Sequence, residues 1–179
     1  MKIHCIHDLS NTTIIDLLSN SLQDIQDDNI VKNYHPDYSN TSGNLFYILN
    51  EGRYQRGKYF VVTIDDKYVC SAGWNEYESN VALLLTRMYI VPEYRGQYII
   101  GNNILPLCIK EANSYDHLWI TANDYNRSIY TYFERASQNK RTALFNDWPD
   151  IYKRFKPLGK KIVYYTEQWV AEYDKSTNN

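Results

Sequence analysis

Tyr89–Pro106 reads YIVPEYRGQYIIGNNILP. An apolar run ends at Pro92, a charged turn follows, and apolar residues at helical spacing take over near Tyr98. A helix N-terminus leaves its first backbone N–H groups without partners. The helix dipole favours negative charge there, and a diphosphate accepts several such donors at once. The amides of Gln97, Tyr98, Ile99, Ile100 and Gly101 are placed for this role. Gly96 turns the chain and Arg95 adds a charge-assisted contact. The competing reading is a turn glycine beside a solvent-facing arginine, and the rest of the chain decides between them.

On either side of this join the chain alternates strand and helix patterns, with no linker, repeat or low-complexity tract. Lys2–His7 reads as a strand. Asn11–Gln26 reads as a helix, with Ile14, Leu18, Leu22 and Ile25 on one face and Asn11 as N-cap. Asn29–Lys58 is polar, long for a bare loop, and expected to line something. Lys58–Tyr77 reads as a hairpin turning at Asp65-Asp66-Lys67. Asn80–Pro92 is nearly continuous in apolar residues, the pattern of a central strand covered on both faces. Tyr98–Asn113 reads as a helix that Pro106 kinks or starts late. His117–Thr121 is a short strand, Asp124–Ser137 a helix and Lys161–Tyr173 a closing strand. The order β-α-β-β-β-α-β-α-β predicts one α/β domain over residues 1–179.

The composition narrows the function classes. Of 179 residues 44% are apolar and 22% charged, and the net charge is −2, so no global basic field advertises nucleic acid or an anionic membrane. No apolar run reaches the length of a membrane span, and the first residues lack the apolar stretch of a signal peptide. Three scattered cysteines, Cys5, Cys70 and Cys108, are expected as buried thiols in a cytoplasmic protein. His4, Cys5, His7 and Asp8 collect possible ligands, but His4 and His7 would point to opposite faces of a strand. No metal site is expected.

Two motifs carry a family resemblance. VPEYRGQYIIG resembles the pyrophosphate loop of the GCN5-related N-acetyltransferase (GNAT) superfamily, commonly R-G-x-G-x-G or R-x-x-G-x-A after a V-x-P-x-x lead. NRSIYTYFER resembles that superfamily's later N-x-x-A-x-x-x-Y-E-K helix. The resemblance covers most of the chain. It implies a mixed, mostly antiparallel sheet flanked by helices, with a central pair of strands that splays apart. It also implies acetyl-CoA as co-substrate and an amine, on a small molecule or a protein, as acceptor. Ile90 and Val91 would pair with the pantetheine arm, residues 95–101 would hold the pyrophosphate, and Asn126 matches the asparagine that contacts CoA. The chain departs from the pattern where Tyr98 and Ile100 replace glycines and Gly101 comes one residue late. Phe133 falls where the family often has a tyrosine that protonates the leaving thiolate. Tyr130 supplies a hydroxyl if Asn126 sets the register, and Tyr132 if Ser128 is the small residue. The central strand has Thr86 and Arg87 where many members carry a glutamate, so Glu78, or Glu76, is the candidate base, acting through water.

The leading expectation is thus an N-acetyltransferase with acetyl-CoA as donor. A catalytically idle protein of the same fold, binding CoA or a macromolecular partner, is the first alternative. A nucleic-acid module using tyrosine stacking is the second, and the mild negative charge argues against it. A second copy of the chain is a candidate partner. Acceptor specificity is expected from the loops 29–58 and 138–155, where Asp147, Trp148 and Asp150 would meet a cation.

Overall fold

In the computed structural model the described residues are 1–10, 12–13, 56–122, 130–131, 133–134, 148–163 and 166–178. They build a seven-stranded sheet from β1 (Lys2–Cys5), β2 (Gly57–Ile64), β3 (Lys67–Glu78), β4 (Val81–Ile90), β5 (His117–Ala122), β6 (Phe155–Val163) and β7 (Thr166–Tyr173). The spatial order is β1-β2-β3-β4-β5-β7-β6. Every neighbouring pair is antiparallel except β4 and β5, which run parallel. The expected mixed, mostly antiparallel sheet is therefore present.

Local chemistry explains the turns. Asp65 and Asp66, with φ of 51° and 58°, close the β2–β3 hairpin. Two successive left-handed residues make the turn whose twist matches the flanking strands, and aspartate tolerates that region. After β4 a short 3₁₀ turn spans Pro92–Tyr94. The next helix begins as a π segment, Ile100–Ile104, and continues as α1, Leu105–Glu111. Leu105 bonds its N–H to the Ile100 carbonyl, one residue beyond the α-helical partner. The slip lies immediately before Pro106, which has no N–H and whose ring crowds the carbonyl four residues back. A π turn absorbs the proline without ending the helix.

The closing segment differs from expectation. Residues 161–173 do not form one strand. Phe155–Val163 pairs antiparallel with Thr166–Tyr173, and β7 lies between β5 and β6. Most of the basic stretch from Lys153 to Lys161 is the edge strand β6. An edge tolerates Pro157, whose missing N–H the ladder does not require there, and a register shift between Pro157 and Gly159 absorbs the break. The expected first helix and the loop after it lie almost wholly outside the described residues.

One face of the sheet packs Val62, Ala72, Leu84, Ile120 and Ala171 against Ile104, Leu105 and Cys108 of the π/α1 helix and against Phe133. The other holds a smaller cluster of Val81, Leu83, Trp119 and Val170. Cys70 and Cys108 are free thiols, and burial pushes each up to about 12. Among the described residues no helix is long and apolar enough to cross a membrane.

Candidate active site

The parallel strands β4 and β5 stay together only at one end. Their register runs Val81↔His117, Ala82↔Leu118 and Leu83↔Trp119, and stops. Beyond that point β4 continues to Ile90 alone on this side, while β5 stays paired along its other edge with β7 from Trp119 to Ala122. A V-shaped gap therefore opens through the middle of the sheet toward the carboxyl ends of both strands.

The cause of the divergence is visible in the β4 backbone. Leu85 and Arg87 have φ of 56° and 53°, and the β3–β4 register slips on either side of Gly73. Such bulges insert unpaired residues and bend the strand that carries them. A chain of buried hydroxyls supports the second bulge. Tyr59 Oη donates to the Arg87 carbonyl at 2.9 Å and lies 2.8 Å from Ser71 Oγ, which lies 2.6 Å from Tyr68 Oη. Each hydroxyl has one proton. Because Tyr59 gives its proton to Arg87, Ser71 donates to Tyr59, and Tyr68 donates to Ser71. Gly73 is required beneath this chain, since a Cβ there would meet Tyr59 Cδ2 at 2.7 Å and the Lys58 carbonyl at 2.4 Å.

At the open end the β4 backbone splits its loyalties. Val91 bonds its N–H to the Val69 carbonyl of β3 at 2.9 Å. Antiparallel ladders alternate the side on which a residue bonds, so the N–H and C=O of Ile90 point toward the gap. Arg95 folds back and donates from Nε to that Ile90 carbonyl at 3.2 Å. Gly96 turns the chain with φ of 77°, and a Cβ there would meet nothing within 4 Å. Gln97 donates from Nε2 to the Glu93 carbonyl, which stiffens the loop. Tyr98 adopts φ of 56°, the conformation that a glycine takes without cost. The helix opens with a bond from the Asn102 N–H to the Tyr98 carbonyl, at 2.8 Å. The amides of Tyr98, Ile99, Ile100 and Gly101 come before it, at the positive end of the helix dipole. The side chains of Ile99 and Ile100 are buried in the core, which leaves the backbone as what these residues offer a ligand. Gly101 has a packing role: a Cβ there would lie 2.5 Å from the Tyr152 ring.

Across the gap, residues 130, 131, 133 and 134 are helical. Phe133 is fully buried in the core. Tyr130 is half-buried and stands edge-on to Trp169 of β7, ring centroids 6.3 Å apart. Trp169 is paired with Ala122, the last residue of β5, so Tyr130 belongs to the open end of the gap. Tyr132 and Asn126 lie outside the described residues. Glu78 is exposed at the β3–β4 turn, the closed end. Ten residues of β4 separate it from the loop, about 30 Å of extended chain. Glu76 accepts from Tyr115 Oη at 2.7 Å and from Arg56 Nη1 at 2.8 Å. The Tyr115 hydroxyl first, then the Arg56 guanidinium, hold its carboxyl below the usual range.

No protein-family model matches the chain, and no curated protein matches it in sequence. Solved structures do match. The ribosomal-protein-alanine N-acetyltransferase of Brucella melitensis is similar with a TM-score of 0.58 at 14% identity, over 96% of this chain and 98% of that one. An acetyltransferase of the GNAT family from Staphylococcus aureus is similar with a TM-score of 0.52 at 19% identity, over 97% of this chain and all of that one. An N-acetyltransferase from the same organism gives 0.54 at 16% identity, over 97% of each chain. The chain has the GNAT fold.

Within that GNAT fold the sequence motifs fall on opposite sides of one opening. The loop 91–101 follows the diverging strand β4, and Tyr130 packs against Trp169 on the β5–β7 side. The hydroxyl chain of Tyr59, Ser71 and Tyr68 was not legible as part of the site. Its trace in the sequence is a serine and two tyrosines among the apolar residues of β2 and β3. Two of the proposed acceptor residues are described. Trp148 packs against Tyr98 and Tyr152, and Asp150 pairs with Lys153 at 2.7 Å; Asp147 lies outside the described residues.

Proposed function

We propose that this protein is an acetyl-CoA-dependent N-acetyltransferase acting on a primary amine. The observation that carries this reading is the splayed β4–β5 pair with a run of backbone amides at its mouth. In this reading those amides and Arg95 hold the pyrophosphate, and the pantetheine arm enters the gap along Ile90. The thioester then lies between the bulged part of β4 and the helix that carries Tyr130.

The neutral amine attacks the carbonyl carbon and a tetrahedral oxyanion forms. Backbone N–H groups freed by the β4 bulges are suited to receive it. The C–S bond then breaks and the electron pair leaves on sulfur. A proton reaches the thiolate from Tyr130, or from Tyr132, and the nitrogen loses its own proton to water. Thiols have a pKa near ~8.5, so this last donation is only mildly demanding. Much of the acceleration comes from holding both reactants together. In this reading water takes the amine's proton directly, because Glu78 stands at the closed end of the sheet. The acceptor is a small-molecule or protein amine, the setting is a reducing cytoplasm, and neither nucleic acid nor membrane takes part.

The test begins with the donor. CoA or acetyl-CoA should raise the melting temperature, because a ligand that binds only the folded state stabilises it. Arg95→Ala should shrink that rise. Turnover of acetyl-CoA with a panel of amines, polyamines, aminoglycosides and peptides then identifies the acceptor. Saturating CoA without a thermal shift or calorimetric heat removes the reading. CoA binding without turnover on any acceptor favours the second reading, an idle protein of this fold, for which the buried Phe133 at the family's tyrosine position speaks.

A further inference from the structure

We propose that Tyr98 and Trp148 form an aromatic platform on which the purine base of CoA stacks, so that the site selects a thioester carried by a nucleotide. The proposal rests on the acetyl-CoA reading above and names a subsite of it.

The two left-handed residues of the loop differ in a telling way. Gly96 has φ of 77° and open space around its missing Cβ, which is what the chain uses where only a turn is needed. Tyr98, two residues on, takes the same disfavoured region with a large side chain. Non-glycine residues held there cluster at ligand-binding sites, where the surroundings over-determine them. Its neighbours Ile99 and Ile100 are swallowed by the core, whereas Tyr98 stays 40% exposed.

The ring is nevertheless not loose. It leans on Trp148 with centroids 6.4 Å apart and planes tilted by 58°. Trp148 in turn stands edge-on to Tyr152 at 5.2 Å and 83°. Tyr152 is buried and lies over Gly101, whose lack of a Cβ lets the ring approach. A half-exposed aromatic ring, propped by two others down to the core, thus sits within the run of amides proposed for the diphosphate. In CoA one ribose separates the diphosphate from adenine, so phosphates on these amides bring the base within reach of the ring. Any base has a π face, and stacking on an aromatic side chain needs no specific edge contact. A thioester on bare phosphopantetheine lacks that base and gains nothing from the platform.

The experiment is calorimetric titration with CoA and with 4′-phosphopantetheine, using the full chain and the variants Tyr98→Leu and Tyr98→Phe. Leucine keeps a Cβ at the same φ but removes the ring. From the usual strength of base–aromatic stacking, Tyr98→Leu should weaken CoA by about fivefold to a hundredfold. It should leave phosphopantetheine binding unchanged, and Tyr98→Phe should bind both ligands as the parent does. CoA binding unaltered by Tyr98→Leu overturns the platform and leaves the acetyl-CoA reading standing. Equal weakening of both ligands also overturns it, because the ring would then serve only the loop. No CoA binding by the unaltered protein overturns the acetyl-CoA reading itself, and the platform with it. A readout independent of how the variants fold comes from tryptophan fluorescence of the unaltered protein. CoA should quench it more than phosphopantetheine does, since only CoA carries a base to Trp148; equal responses count against the platform.

Discussion

Phe133 is fully buried and carries no hydroxyl, so in the proposed reaction a proton for the leaving thiolate comes from another residue. Tyr130 lies three residues back, on the same helical face, and edge-on to Trp169. Replacing tyrosine by phenylalanine removes one oxygen and keeps that ring contact. With an acceptor in hand, Tyr130→Phe or Tyr132→Phe should lower kcat by about a hundredfold, the low end for a general acid, with CoA affinity unchanged. Losses below about threefold in both would leave proximity to carry the reaction. A second residue-scale prediction concerns acid. Asp174 meets Lys156 Nζ at 2.5 Å and also accepts from Ser176 Oγ and the Ser176 N–H. The Lys156 ammonium first, then the Ser176 hydroxyl, lower its carboxyl to about 2. Its ordinary value is ~3.9. A folded-state value below the unfolded one adds stability above the unfolded value, and that stability is lost as pH falls toward the folded one. Asp174→Asn should therefore be less stable at neutral pH and show a flatter loss between about pH 4 and pH 2 in denaturant titrations. Tyr130 follows from the register of Asn126 and Tyr132 from that of Ser128, and Tyr132 lies outside the described residues. The Lys156–Asp174 pair was not legible in the sequence, because its partners meet only through the β6–β7 register.

At the scale of elements, β4 carries the argument. Its apolar run marked it as central, but nothing in VALLLTRMYI distinguishes Leu85 and Arg87 as bulged. A bulge is set by what lies across the strand, here Gly73 and the Tyr59 hydroxyl, and sequence patterns along one strand do not carry it. The helix after the loop was legible, including the disturbance at Pro106, although the π register was not. The join of loop and helix was legible because any residue but proline supplies a backbone N–H there. The alternation at the end of β4 makes a direct prediction. In the free protein the Ile90 amide, facing the gap, should exchange its hydrogen faster than the Val91 amide, which is bonded to the Val69 carbonyl. Saturating CoA should slow Ile90 and leave Val91 unchanged, as read residue by residue by NMR. Equal rates in the free protein would mean that the strands do not part where the register stops.

For the molecule as a whole, the sheet divides at β4 and β5, joined in register at only three residue pairs. The alternation of strands and helices disclosed the class and, with the two motifs, the GNAT fold. It did not disclose that the closing segment is a hairpin, because Pro157 and Gly159 disguise β6 and only an edge position excuses them. Glu78 was proposed from its nearness in sequence to the central strand. The sheet sets it at the closed end, since a hairpin turn and the far end of its second strand lie a full strand length apart. The order β5-β7-β6 also bears on how the protein is born. On the ribosome β6 emerges before β7, yet β7 is the strand that joins it to β5. Until Tyr173 has been synthesised, β5 has only its short seam with β4, and β6 has no strand to lie against. The antiparallel run β2–β3–β4, consecutive in the chain, has all its pairing partners out of the ribosome long before that. One wall of the cleft is thus made early, and the other waits on the last strand to leave the exit tunnel.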